Sequence, residues 1–355
     1  SVRYDRYSDF GSSTNPKISV RWNPTKEFLM RGSFNTGFRA PSLPDLFQPR
    51  FFSNTADTHN DPIRCPGGTP LGSYVDDGLE CEAQIQNQLG GNRNLQPEKS
   101  RQVSIGTLIE PNQYFSAGVD YFRIQRNNSL QALSDTTVFD YYGALDPLNA
   151  QGRFVRYARL ANGRCANDNP TTPTPANVPC AIQYAVQVQE NVGTYTVSGF
   201  DISLGANQNL GSMGKVRYTL DGTYIQSYKY QFAKGGPIAS NLSKHTADNG
   251  AVSRYRHTLG ANWSLGDWSA TLSQNFVAGY RDAGNARDVG NVETYDVQAQ
   301  WKAFKGLTLV LGVRNIFDRD PPASAQGQSF QVGYDPRYGD PFGRVYYGKV
   351  TYLFK

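Results

Sequence analysis

Three histidines and one acidic cluster are the first residues of this chain that could carry chemistry. Asp57, His59 and Asp61 stand together in a polar stretch, while His245 and His257 lie far from them. Such a group could serve a rim hydrolase only with a nucleophile beside it, and no G-x-S-x-G spacing supplies one. H-E-x-x-H and P-loop spacings do not occur either. Asp76-Asp77 and the Asp57/Asp61 pair are calcium ligands by type, but their spacing matches no EF-hand loop. The expectation is no enzyme, no metal and no cofactor. Binding is the better-supported chemistry. Arg50, Phe51, Phe52, His59, Tyr141 and Tyr142 belong to types used in recognition patches, and they fall in the two longest strand-free stretches, 40–96 and 128–183.

The same two stretches hold all the cysteines. Cys65 pairs by proximity with Cys81, and Cys165 with Cys180, each bracketing a segment rich in Pro, Gly or Asn. No C-x-x-C occurs and histidine is scarce, so two local disulfides in an oxidising compartment are the simplest account, with four free thiols as the alternative. The net charge of +5 is scattered and interleaved with acids, which is not the clustered footprint of a nucleic-acid binder.

The elements that position these residues are strands. The 355 residues are 38% hydrophobic with a mean hydropathy of −0.55. The most apolar stretch, Leu307 to Val313, is far shorter than the ~20 residues a membrane helix needs. Period-2 alternation recurs instead. Tyr255, His257, Leu259, Ala261, Trp263 and Leu265 alternate with Arg254, Arg256, Thr258, Gly260, Asn262 and Ser264. The last strand sets Tyr346, Val350, Tyr352 and Phe354 on one face. About twelve such strands are expected, at 1–8, 16–23, 27–39, 97–110, 113–127, 184–206, 215–232, 254–265, 268–280, 292–304, 307–317 and the C-terminus. Within 184–206 the apolar parity changes near Gly199, from Tyr195 and Val197 to Phe200, Ile202 and Leu204, which predicts a bulge there.

Short turns alternate with long connections, and aromatic residues such as Trp22, Phe28, Phe115 and Tyr280 gather near strand ends. One apolar and one polar face, repeated this way, predict a transmembrane antiparallel up-and-down β-barrel with lipid outside and a wet interior. On the wet face Arg21, Arg31, Arg39, Arg217, Arg254, Arg256 and Lys302 are expected to line the lumen, where they could hold an anion or contact a plug. A soluble β-sandwich is the alternative fold, and a passive porin or a barrel-rim hydrolase the alternative function.

The stretch Arg31-Gly32-Ser33-Phe34-Asn35-Thr36-Gly37-Phe38-Arg39-Ala40-Pro41-Ser42-Leu43-Pro44-Asp45-Leu46-Phe47 resembles the TonB-dependent outer-membrane receptors, whose barrel strand of this form runs into a long external loop. Asn94-Leu95-Gln96-Pro97-Glu98 and Val313-Arg314-Asn315-Ile316-Phe317-Asp318 resemble two further strand borders of that family, and the strand ending at Phe354 resembles its assembly signal. The resemblance implies active uptake of a scarce nutrient, most often an iron–siderophore-type chelate, across the outer membrane of a Gram-negative bacterium. It also implies a TonB complex acting through a plug domain, and folding by the barrel assembly machinery. The family barrel has 22 strands, and neither a plug nor an energy-coupling box is found within these 355 residues. Residues 1–355 are therefore expected to be the C-terminal barrel portion of a larger receptor, with a complete barrel of about 12 strands as the alternative.

Overall fold

The computed structural model describes residues 1–8, 11–246, 250–282, 287–325 and 333–354, with Asp77 described by its backbone alone. Twelve strands form one antiparallel sheet in strict chain order. They are β1 (Val2–Tyr7), β2 (Gly11–Trp22), β3 (Phe28–Arg39), β4 (Glu98–Asn112), β5 (Phe115–Ala132), β6 (Gln189–Asn209), β7 (Lys215–Gln231), β8 (Tyr255–Leu265), β9 (Trp268–Val277), β10 (Val292–Phe304), β11 (Leu307–Arg314) and β12 (Val345–Tyr352). Every neighbour is the next strand in sequence, as an up-and-down barrel wall requires. Gly266 adopts φ +55 in the two-residue connection between β8 and β9, the conformation a tight hairpin of this length needs.

The register sorts side chains into two faces. Leu259 pairs with Gln274, Ala261 with Leu272 and Trp263 with Ala270, so these share one face, here called outward. Trp268 stacks on its partner Trp301 at 5.2 Å on that same face. Among the described residues the outward face has no protein partner: Leu311 and Val350 are each 70% exposed. A soluble sandwich would bury such a face against a second sheet. Water does not tolerate an apolar face of this extent and lipid does. Among the described residues no helix is long and apolar enough to cross a membrane, which a strand-built wall does not need.

The packed cores lie elsewhere. Ile85, Leu133, Val138, Phe139, Tyr142, Ala150, Phe154, Ala185 and Ala233 bury one another at the long-loop end, and Leu46, Leu95 and Leu130 form a smaller cluster nearby. The two long loops therefore fold into a lobe. Its frame is a small sheet of Phe51–Asn54, Gln86–Leu89, Ile182–Val186 and Phe154–Arg156, in which Asn87 and Gln88 from the first loop pair in parallel with Ala185 and Val186 from the second.

Several strand borders differ from the sequence expectation. The second loop runs 133–188 rather than 128–183, because β5 continues to Ala132 and β6 starts at Gln189. Ile182–Val186 leaves the barrel strand to join the lobe sheet, where Ala185 is fully buried. Residues 11–15, expected as a loop, pair with β1 instead; the neighbouring residues 9–10 lie outside the described set. The bulge falls at the expected place, between Ser198 and Gly199, but the extra residue is Gln226 on β7. Strand β6 keeps its parity through Gly199, so Tyr195 and Val197 face inward with Arg126 and Ile124.

Candidate functional site

The inner face carries the polar half of the alternation. The register runs Arg21, Arg31, Gly106, Asp120 across β2–β5, then continues through Asp201, Thr223 and Arg256 on β6–β8. Arg31 Nε donates to Asp120 Oδ1 at 2.7 Å over the top of Gly106. A Cβ on Gly106 would sit 1.9 Å from that carboxylate oxygen, so glycine is what lets the pair close across the intervening strand. Thr223 Oγ1 donates to Asp201 at 2.7 Å, while Arg256 stands exposed beside Thr258 and Asn275. Arg31, Asp120, Asp201, Thr223 and Arg256 line a cavity of about 910 Å³.

Arg39 closes the upper end of β3 with both guanidinium arms on Glu98, at 2.9 and 2.7 Å. Glu98 is buried and also accepts from the Leu130 amide and the Ser129 hydroxyl, so Arg39 anchors the point where the first long loop leaves the wall. Arg217 faces Asn207 and Asn262 near the short-turn end, and Lys302 sits on the same face close to the β10–β11 turn. Arg254 precedes β8 with the inward parity.

Above this face sits the lobe. Disulfides Cys65–Cys81 and Cys165–Cys180 close its two segments, with Cα atoms 5.5 and 5.6 Å apart. Arg64, 1% exposed, stitches them together. Its guanidinium pairs with Glu80 and donates to the Tyr74 carbonyl at 3.0 Å within the first loop. It also donates to Thr174 Oγ1 at 3.0 Å and the Pro179 carbonyl at 3.1 Å in the second. A second inter-loop tie joins Arg156 to the buried Asp61 at 2.6 and 3.1 Å. Burial disfavours ionisation of Asp168, but hydrogen bonds from Thr174 Oγ1 and the Cys165 amide outweigh it and hold its carboxyl below the usual carboxylate range.

The six loop residues singled out in the sequence separate into two groups. His59 is buried, stacked on Phe139 at 4.4 Å, with its nearest acid, Asp135, at 4.0 Å. Tyr142 is buried beneath Arg153, whose guanidinium lies 3.8 Å from the ring centre, and burial pushes its phenol up. Tyr141 is half-buried against Tyr142. By contrast, Phe51 and Phe52 are 43% and 51% exposed on the lobe surface, and Arg50 donates to Gln88 Oε1 at 3.0 Å. Asp61 is occupied by Arg156, so the Asp57–His59–Asp61 group does not assemble as an acid–histidine pair.

Tyr195, Tyr228 and Tyr230, with Phe232 beyond the strand end, form an aromatic shelf where the inner face meets the lobe. Arg126 lies 4.7 Å over the Tyr195 ring, whose hydroxyl donates to Gln131. Sequence reading missed this shelf because it put the parity change on β6. The sequence of β7 carries no signal of it: Val216, Tyr218, Leu220 and Tyr224 hold even positions and face outward, and Tyr228 and Tyr230 hold even positions too, yet they face inward because Gln226 is the extra residue.

A wall of two-faced strands under a cross-linked lobe of long loops defines a membrane-spanning β-barrel of the receptor type. The chain belongs to the TonB dependent receptor-like β-barrel family, whose model matches residues 1–316. Members of that family are Gram-negative outer-membrane proteins and are transporters, not enzymes, which sets the rim-hydrolase reading aside. No curated protein sequence matches the chain at a significant level. Among solved structures, the chain is similar to the ferric enterobactin receptor from Pseudomonas aeruginosa, with a TM-score of 0.62 and 16% identity over 99% of this chain and 42% of that one. It is also similar to a siderophore receptor from Acinetobacter baumannii, at TM-score 0.62 and 16% identity over 99% of this chain and 43% of that one. A siderophore receptor from Pseudomonas aeruginosa gives a TM-score of 0.54 and 17% identity over 100% of this chain and 44% of that one. The chain thus spans about two fifths of the length of these neighbours, and at this identity the likeness is one of fold.

Proposed function

We propose that this chain is the C-terminal part of a 22-strand receptor barrel that takes up a scarce nutrient across the outer membrane. Energy would reach a plug domain through the TonB complex, and the cargo would be an iron–siderophore-type chelate. One observation carries the reading: the two long loops are locked into a single lobe over an inner face that offers both cations and an aromatic shelf. A passive pore gains nothing from such a lobe, whereas a receptor needs a rigid external surface to recognise its cargo before transport. Arg50, Phe51 and Phe52 are the lobe residues placed to meet a ligand, and Tyr141, Tyr142 and His59 support them from beneath. Arg31, Arg39, Arg217, Arg254, Arg256 and Lys302 face the space a plug would fill. Tyr346, Val350, Tyr352 and Phe354, exposed along the outward edge strand and its end, are the residues the barrel assembly machinery would read.

The test is uptake of labelled iron from a panel of ferric chelates by cells expressing the full receptor, with and without TonB. Uptake of one chelate that stops when TonB is removed supports the reading. Uptake that continues without TonB makes the protein a passive pore.

A further inference from the structure

The small sheet of the lobe has two faces, and only one of them enters the core. Ile85 and Ala185 are buried in the core cluster. Asn54 and its cross-strand partner Gln86 take the other face, and Gln84, two positions before Gln86, joins them; all three are exposed. With Gln183 these amides form the floor of a cavity of about 700 Å³, within the usual size range of small-molecule sites.

The two cross-linked segments supply its walls. Tyr74, Asp76 and Leu79 come from the stretch that Cys65–Cys81 closes. Asn167, Asn169 and Thr172 come from the stretch that Cys165–Cys180 closes, and Tyr157 completes the lining. Arg64 ties the two walls together: it donates to the Tyr74 carbonyl of one segment and to Thr174 Oγ1 and the Pro179 carbonyl of the other. Its guanidinium also lies 5.4 Å from the centre of the Tyr74 ring. The cleft is therefore fixed before any ligand arrives, which lowers the entropic cost of binding.

The lining selects a class of ligand. Asn54, Gln86, Asn167 and Gln183 make no side-chain hydrogen bond among the described residues. Each offers one carbonyl acceptor and two N–H donors. Gln84 donates to the Thr55 carbonyl at 3.0 Å, and Asn169 Oδ1 accepts from the Thr171 amide at 2.9 Å, so these two are held in place by one end. Among the described residues no Lys or Arg lines the cavity. Glu80 is paired with Arg64, and Asp76 accepts from the Gly78 amide at 3.2 Å. An anionic chelate finds no counter-charge here. Neighbouring hydroxyls of a sugar ring, which both donate and accept, match such an array of amides, and the Tyr74 and Tyr157 rings offer apolar faces to the C–H side of the ring.

We propose that this cavity binds a short neutral oligosaccharide. The site rests on the geometry of the lobe and not on the identity of the transported cargo, and it shares no lining residue with the inner-face cavity.

Isothermal titration calorimetry of the full receptor, in a detergent without a sugar headgroup, tests this. The probes are maltotriose, cellotriose, xylotriose and triacetylchitotriose, with trigalacturonate as the acidic control. The expected result is saturable binding of at least one neutral trisaccharide at millimolar concentration or below, insensitive to salt, and no binding of trigalacturonate. Asn54→Ala, Gln86→Ala and Asn167→Ala should each weaken binding by about fivefold. Hydrogen exchange on the unaltered protein should show the bound sugar protecting amides within 73–76, 84–86 and 167–172. Failure of all four neutral sugars overturns the proposal, as does trigalacturonate binding as tightly as they do, or a triple variant that binds like the parent. If the triple variant does not fold, the exchange pattern on the parent decides: protection confined to the barrel strands would place the sugar elsewhere and overturn the proposal too.

Discussion

The wall and the lobe solve the same problem in opposite ways. The wall keeps its apolar residues on an unpartnered face: Ile105, Leu259, Leu311 and Val350 are all exposed, and lipid completes the structure. The lobe stands in water and must bury its own apolar groups, so it builds a small core around Val138, Phe139 and Phe154. That core is modest, and covalent and ionic ties supplement it: two disulfides, the Arg64–Glu80 pair and the Arg156–Asp61 pair. The difference teaches that the solvent, not the chain's overall composition, decides which interactions hold each region.

The contrast can be broken by substitutions that belong to one region only. Arg64→Ala should have the largest effect, about 3–5 kcal/mol, because it strands the buried Glu80 carboxylate. Hydrogen exchange should then show residues 40–97 and 133–188 opening while β8–β11 stay protected. Loss of protection in the wall as well would show that the two regions are not separate.

Removing Cys65–Cys81 by paired Ser substitution should cost about 3 kcal/mol in the chain-entropy model, again confined to the lobe. Limited proteolysis of the paired Ser variant beside the parent, both without reductant, reads this directly. Leu259→Arg should cost about 2–4 kcal/mol of folding into lipid vesicles, since it places a charge near mid-bilayer. Thr258→Arg, one residue along but facing inward, should fold normally. Similar losses in both would contradict the assignment of faces.

Gly106→Ala should be milder. The new methyl pushes Asp120 off Arg31, forfeiting a half-exposed ion pair worth up to about 1 kcal/mol. The smallest expected effect is a pH dependence in the loops outside the membrane. Burial, with Arg337 nearby, holds His245 below the usual histidine range, despite the opposing pull of Asp282 and Asp335. The unfolded segment therefore binds a proton more readily than the folded one. The contribution of His245 to local stability is complete above about pH 6.5 and is lost as pH falls from there toward its lowered folded value. Amide protection near Ser243, taken relative to the intrinsic exchange rate at each pH, should fall over that interval, and His245→Gln should remove the dependence.

The sequence carried the wall well and the lobe poorly. Period-2 alternation in Tyr255–Leu265 or Trp268–Val277 is a local signal, because each residue's face depends only on its neighbours. Both disulfides were also readable, since each closes a short segment. The lobe depends on contacts between distant residues: Arg64 reaches Thr174 across 110 positions, and Asp61 meets Arg156 across 95. No local pattern announces such pairs. His59 and Phe52 illustrate the consequence, because type and loop position made them equal candidates, yet one is core and the other surface. The aromatic shelf was hidden for a related reason: a single extra residue on β7 reverses the face of everything beyond it.

The central claim is that the outward face meets hydrocarbon, and the tryptophans report on it directly. Trp22, Trp263, Trp268 and Trp301 are the only four in the chain, and register places every one outward at the short-turn rim. In vesicles of lipids brominated along the acyl chain, tryptophan emission should be strongly quenched, most by bromines close to the headgroup. It should resist quenching by aqueous iodide. Emission untouched by brominated lipid but quenched by iodide would place these rings in water and contradict the account.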